Sequence, residues 1–368
     1  MTIRPRVIQI EAVYEQFASN LYARWPGLDA LSFETQIRTI LDSGWSGGQN
    51  VVPYLNPSRW ERFYLLPKLV APQLAWARQA AVPQAKWNLR DILCQQIKAI
   101  EPDVIYLSDL GSFDFSILDE LNQRPLMVAW LATRLPPGIP WSRIDLLLSG
   151  IGAIREEALR LGVRKVQDFN SAAPSFRGLT PGFSPTNNAS PGVVFSGSFL
   201  GGYHDDRAKL LARLAVERPQ IPVDVYTGQP FQLPKACPLR FHAPVFAAEV
   251  VETYANHAMV VDARAEFGLK ETRFNRDTSN MRIFEATRAG ALLLTEYAHN
   301  LESMFEIGSE IICYRSEEEL IDLVSFYSNK KHDEARLRIA QKGFKRVLKS
   351  HTIEHRAVDF ESILNDTL

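Results

Sequence analysis

At 368 residues, with 46% apolar and 23% charged residues, the chain is long enough for two domains of ordinary size and is neither a disordered nor a fibrous sequence. Its formal net charge of -1 at pH 7 excludes binding that rests on broad neutralisation of nucleic-acid phosphates. Three widely spaced cysteines, Cys94, Cys237 and Cys313, build neither a disulfide framework nor a C-x-x-C metal site, and they fit a reducing cytosol.

The opening MTIRPRVIQI has too short an apolar run for a signal peptide, and no stretch of about 18 apolar residues could span a bilayer. A cytoplasmic protein is expected. Between Tyr54 and Ala85, Trp60, Phe63, Tyr64 and Leu65 interleave with Arg59, Arg62 and Lys68. The simpler reading is a helix that covers the core with snorkelling basic stems. The alternative is a peripheral contact with the inner face of a membrane.

Short apolar runs alternate with helical patterns along the whole chain, which predicts parallel sheets covered by helices, an α/β fold. Val7–Ile10 reads as a strand, Leu31–Asp42 as a helix and Val51–Tyr54 as a second strand. Leu89, Ile92, Leu93, Ile97 and Ile100 recur at helical spacing, Glu101-Pro102-Asp103 breaks that helix, and Val104–Leu107 makes a buried strand. Leu126–Leu131 and Asp145–Leu148 continue as strands, and Ile154–Leu161 as a helix leading to a last strand. From 171 to 192 the text turns to Pro, Gly, Ser and Asn without periodicity, which marks a linker.

A second α/β series begins at Val193–Phe195 (strand), Arg207–Val216 (helix), Val223–Tyr226 (strand), Val250–Asn256 (helix) and Met259–Val261 (strand). Met281–Arg288 (helix), Ala291–Leu294 and Ile311–Tyr314 (strands), and helices over Glu317–Tyr327 and Glu334–Lys349 complete it. The predicted layout is an N-terminal Rossmann-like domain over 1–170, the linker over 171–192, a second Rossmann-like domain over 193–349, and a segment over 350–368 that crosses back toward the first. Two such domains bind ligand at the carboxyl ends of their strands.

Asp277, Thr278, Ser279 and Asn280 are N-cap formers just ahead of the apolar-periodic Met281, Ile283 and Phe284. The helix they start would present free amides and a partial positive charge, a seat for a diphosphate, and Arg282 in its first turn could add a charged contact. Glu285, one turn further in, could accept hydrogen bonds from two vicinal ribose hydroxyls. Gly290 ends the helix above a buried strand. On general physics alone, such a helix is more often structural than a ligand site.

This segment, N-M-R-I-F-E-A at 280–286 followed by R-A-G-A-L-L-L-T at 288–295, resembles the C-terminal domain of retaining GT-B glycosyltransferases, most closely the spore-maturation CgeB-like branch. The resemblance implies a GT-B fold of two Rossmann-like domains facing across a cleft and a nucleoside diphosphate sugar as donor. In the wider superfamily two acidic residues with seven positions between them flank this helix, and the second contacts the donor ribose. Asp277 and Glu285 have that spacing. Val193–Ser198 followed by Arg207 looks like the branch's strand, glycine turn and arginine-bearing helix, which would put Gly197, Ser198 and Arg207 by the phosphates. His351-Thr352 and Arg356 resemble its H-T-x-x-x-R ending, expected to lock the last helix; His351 and His355 at i and i+4 could also be read as zinc ligands, but no third ligand stands nearby.

The donor-binding set is therefore Glu285, Asn280, Arg282, Asp277, Gly197, Ser198, Arg207 and Gly290. Glu11 and Asp109, each just after a strand of the first half, are the candidate bases toward an acceptor hydroxyl, with loop carboxylate or helix cap as the rival reading. No histidine precedes His204, so the N-domain histidine of many retaining relatives is missing. All seven tryptophans lie in the first 141 residues, where one or two could line an acceptor site.

The expected activity is sugar transfer from the nucleoside diphosphate sugar to a glycan, protein or lipid-linked acceptor, retaining, with no metal and no cofactor, and no nucleic-acid partner. A nucleotide-sugar epimerase of the same fold and a non-catalytic nucleotide-sugar-binding protein are the rivals.

Overall fold

The computed structural model describes residues 4–45, 49–175, 183, 190–201, 204–234, 236–264 and 276–368. It divides into two units. The first holds the described residues of 1–170 with Ser175 and Ile353–Leu368, and the second holds Ser171–Pro174 with the described residues of 178–352. Most of the linker predicted over 171–192 lies outside the described residues.

The first unit runs β1 (Arg6–Ile10), α1 (Glu15–Arg24), α2 (Phe33–Asp42), β2 (Glu61–Leu65), α3 (Val70–Gln79), α4 (Leu89–Ile100), β3 (Val104–Leu107), β4 (Leu126–Trp130), β5 (Leu146–Ser149), α5 (Gly152–Arg160) and β6 (Lys165–Asp168). Its six strands are all parallel, in the order β2-β1-β3-β4-β5-β6. β3 and β5 are buried at every position, as strands covered on both faces must be. The order reverses direction at β1, between β2 and β3, so the carboxyl ends of β1 and β3 flank a crevice.

The second unit runs β7 (Ser190–Ser196), α6 (Asp205–Glu217), β8 (Val223–Tyr226), β9 (Arg240–His242), α7 (Ala248–Ala255), β10 (His257–Asp262), α8 (Met281–Arg288), β11 (Leu292–Glu296), β12 (Ile312–Tyr314), α9 (Glu317–Tyr327) and α10 (Asp333–Ser350). Its parallel order is β12-β11-β10-β7-β8-β9, with the reversal between β7 and β10. One face packs Phe195, Leu210, Leu214, Val225 and Val261 with α6 and α9; the other packs Val194, Val260, Phe284 and Leu293 with α8 and α10. Alternate residues of β7 and β10 thus serve opposite cores.

The last helix, α11 (Ile353–Asn365), belongs to the first unit. Phe360 packs on Tyr106 and Phe169, Glu361 accepts the Asn56 amide at 2.5 Å, and Arg356 donates to the Asn170 carbonyl at 3.1 Å. Its neighbour in sequence, His351, is a satisfied structural residue of the second unit, bonded through Nε2 to the Met304 carbonyl and packed on Phe284 and Phe305.

Two expectations are corrected here. Val51–Tyr54 is not a strand: Val52–Tyr54 forms a 3-10 turn, with Pro53 in its first positions, and the Val52 amide donates to Gln9 Oε1. The run is apolar because it is buried, not because it is paired in a sheet. The second strand is Glu61–Leu65 instead, inside the segment read as a helix over Tyr54–Ala85. It is an edge strand paired with β1 alone, and edge strands carry charges that a buried strand would exclude.

Candidate functional site

The crevice of the second sheet opens between the carboxyl ends of β7 and β10, where two arginines bridge the strand ends. Arg207, in the first turn of α6, donates through Nε to Ala263 O at 2.7 Å and through Nη1 to Ser198 O at 3.0 Å. Arg282, in the first turn of α8, donates to Ser196 O through Nη2 at 2.6 Å and pairs with Asp262 Oδ1 through Nη1 at 2.6 Å. Both guanidinium carbons lie over the Phe195 ring, at 5.1 and 4.4 Å from its centroid. These contacts hold the two cations in place and shield them from bulk water.

Asp262 is the hub. Fully buried, it receives Arg282, Asn280 Nδ2 at 2.6 Å and Thr295 Oγ1 at 2.9 Å. Beside it Arg264 pairs with Glu296, also fully buried, and donates to the carbonyls of Arg276, Asp277 and Tyr297. Thr278 is clamped by Asn300 on both its amide and its carbonyl. The approach to α8 is thus fixed from three sides before the helix begins. Asp262, Arg264 and Glu296 escaped sequence reasoning because a lone charge at a strand end carries no spacing signal; only pairing across the sheet brings them together.

Asn280 caps α8, its Oδ1 accepting the Arg282 amide at 3.1 Å. Ser279 Oγ beside it is buried and has no hydrogen-bond partner among the described residues. Asp277 is half-buried, with its carbonyl under Arg264. Glu285 lies one turn into the helix, and no donor among the described residues reaches its carboxylate. Burial pushes its pKa up to about 7 against the opposing pull of Arg282. A carboxylate in that state lacks two or more hydrogen bonds that a ligand's hydroxyls could supply.

Gly197 gives the close approach the site needs, since a Cβ there would meet Arg282 Nη2 at 3.0 Å and the Phe195 ring at 3.1 Å. The carbonyl of Ser198 is the acceptor for Arg207.

The Arg282 guanidinium is buried, its residue 8% exposed, and its charge is paired with Asp262. Gly290 adopts φ +76 and ends the eight-residue helix as the sequence indicated, about 12 Å of rise from the cap.

In the first unit Glu11 and Asp109 follow β1 and β3 at the crevice of that sheet. Glu11 is buried, bonded to Ser108, Gln49 and the Ala12 amide, and desolvation outweighs these bonds to push its pKa up to about 7. Gln9 behind it bonds to Asn50 and Ser108, fixing the segment that carries Gln49. Asp109 instead caps a 3-10 turn, accepting the Gly111 amide and bonding Ser112 Oγ, with Lys68 at 3.6 Å. Its lone pairs are largely spent locally. Trp60 and Trp141 are core residues.

Residues 207–362 match a family model described as glycosyl transferase-like. No curated protein matches the chain. Among solved structures, the Anabaena protein HepE in complex with UDP-glucose is 14% identical, with a TM-score of 0.59 over 98% of this chain and 99% of that one. A Thermobaculum terrenum O-GlcNAc transferase mutant is 15% identical, with a TM-score of 0.56 over 98% of this chain and 67% of that one. An S. aureus TarM mutant, in complex with fondaparinux, alpha-GlcNAc-glycerol and UDP, is 11% identical, with a TM-score of 0.54 over 76% of this chain and 58% of its own length. The chain spans 58 to 60% of the length of the first solved structures it matches. Among the described residues no helix is long and apolar enough to cross a membrane. The chain therefore has the GT-B fold, two Rossmann-like units, and its second half carries the match to the glycosyl transferase-like family model.

Proposed function

We propose that the protein transfers a sugar from a nucleoside diphosphate sugar to a hydroxyl of a glycan, protein or lipid-linked acceptor, without a metal and with retention. The observation that carries this reading is Glu285, a half-buried carboxylate with no hydrogen-bond donor among the described residues, one turn behind a capped helix start. Two vicinal ribose hydroxyls would supply the missing donors. The α8 amides, Ser279 Oγ and Arg207 would then meet the diphosphate that follows the ribose. HepE, bound to UDP-glucose, and TarM, bound to UDP, share the fold, which supports a nucleotide-sugar reading.

Charge develops on the departing diphosphate, so fixed cations and amides at that place lower the barrier electrostatically. A guanidinium and a helix terminus can do this in place of a metal ion. In the first unit, Glu11 is the better-placed candidate to receive the acceptor's proton, because its raised pKa matches a base that works near neutrality. The spore-maturation CgeB-like branch remains the sequence resemblance that supports retention.

Thermal unfolding measured against UDP, GDP, TDP, ADP and CMP derivatives tests the donor site, since a ligand that binds only the native state raises the midpoint. Donor hydrolysis in the absence of acceptor then separates an enzyme from a binding module. A chain that responds to none of these ligands would overturn the reading.

A further inference from the structure

Of the three arginines at the ends of β7 and β10, Arg282 is balanced by Asp262 and Arg264 by Glu296. Arg207 is balanced by no carboxylate at ion-pair distance among the described residues; its partners are two carbonyls. It is 6% exposed. Burial and the neighbouring Arg282 pull its pKa down to about 9, and it stays charged at neutral pH. Asp262 and Glu296 act on this cation only from beyond ion-pair distance, and a bound anion would give it a direct partner.

His204, three residues earlier at the start of α6, is likewise 6% exposed. The Leu200 amide donates to its Nδ1 at 2.8 Å, so that nitrogen is an acceptor and a neutral ring carries its proton on Nε2. The charges around the ring are Arg207 and Arg282, which oppose protonation, and Asp205, which favours it less. With burial, they hold its pKa down to about 4. No described residue accepts from Nε2. The Nε2–H of this buried ring has no acceptor among the described residues, and Arg207, whose charge acts on the ring, has no ion-pair partner among them; phosphate oxygens, which accept only, would satisfy both.

We propose that His204 is a catalytic residue of the transfer, its Nε2–H donating to a phosphate oxygen of the donor's diphosphate alongside Arg207. This rests on the donor reading given above. The Leu200 amide presets the tautomer, so the donor is in place before the ligand arrives. As the bond between the sugar's anomeric carbon and the diphosphate oxygen breaks, its electron pair passes to that oxygen. The hydrogen bond strengthens with the added charge and no proton need be transferred.

Two variants separate this role from a structural one. His204→Asn keeps an acceptor for the Leu200 amide but cannot reach the Nε2 position, whereas His204→Gln places an amide N–H near it. With UDP and inorganic pyrophosphate as probes, His204→Asn should keep the wild-type unfolding midpoint yet lose affinity by about tenfold or more, with His204→Gln recovering part of the loss. Long-range proton–nitrogen spectra of the labelled full chain should show His204 as the neutral Nε2–H tautomer, with that nitrogen shifting when pyrophosphate or UDP is added. If the wild type binds UDP while His204→Asn binds it equally well and the ring signals do not move, the His204 proposal is wrong and the donor reading stands. If the wild type binds neither UDP nor any other nucleoside diphosphate, both fall together.

Discussion

Arg282 Nη1 lies 2.6 Å from Asp262 Oδ1, and both side chains are removed from water. A residue that reads in the sequence as a phosphate contact is thereby an internal strut, joining the start of α8 to the end of β10. Asp262→Ala leaves that guanidinium buried without its partner and should cost about 3–5 kcal/mol of stability. Urea unfolding of the full chain measures this. A loss below about 1 kcal/mol, the range of exposed pairs, would mean the pair is open to solvent.

Glu285→Gln should weaken binding of the recognised nucleoside diphosphate by about 1–3 kcal/mol, the cost of weakening hydrogen bonds to a charged acceptor. The fold should gain. The native pKa of about 7 lies above the unfolded value near 4.5, so the native state holds the proton more tightly. Stability linked to this group is therefore full below about pH 4.5 and falls as pH rises through about 7. The variant should be the more stable protein at pH 8 and lose its advantage near pH 4. Isothermal titration and unfolding at both pH values check the two halves of this prediction, and wild-type affinity would remove Glu285 from the ribose.

Arg207→Lys keeps a positive charge but cannot span Ala263 O and Ser198 O together. It should lower kcat more than it raises KM, because the charge on the leaving diphosphate is greatest in the transition state. Steady-state kinetics with an identified donor and acceptor decide the matter; unchanged turnover would leave Arg207 a purely structural bridge.

Gly197→Ala brings a methyl within 3.0 Å of Arg282 Nη2 and 3.1 Å of the Phe195 ring. The guanidinium is held at both ends and cannot retreat freely, so a loss of about 1–3 kcal/mol is expected. Thermal unfolding should show it, together with weaker pyrophosphate binding if the displaced Arg282 disturbs Arg207 over the shared ring.

If Glu11 is the base, kcat/KM should rise with pH and level off above about 7, as the carboxyl loses its proton. Glu11→Gln should flatten that limb and lower the plateau. A profile unaltered by the substitution would return the role to another group.

Much of the fold was legible because periodicity is a local property. Val104–Leu107 and Ala291–Leu294 are apolar runs of strand length, found in β3 and β11, and Asp277–Asn280 announces a helix start by chemistry alone. Val51–Tyr54 and Glu61–Leu65 exchanged roles because burial and sheet pairing leave the same mark on a short apolar run, while an edge strand tolerates charge. The cap at Asn280 was likewise open to a reader of the sequence, since it depends on a neighbour within one turn.

The sequence by itself determined the α/β alternation, the GT-B layout and the capped start of α8. Tertiary structure decided which charges are paired inside the protein and which are not. Arg207 and Arg282 look alike in one dimension; Asp262, on a separate strand, pairs with Arg282, while Arg207 has no carboxylate at ion-pair distance among the described residues. Charge balance is summed over neighbours in space, and the strand order that makes β7 and β10 neighbours is not written in the spacing of either segment.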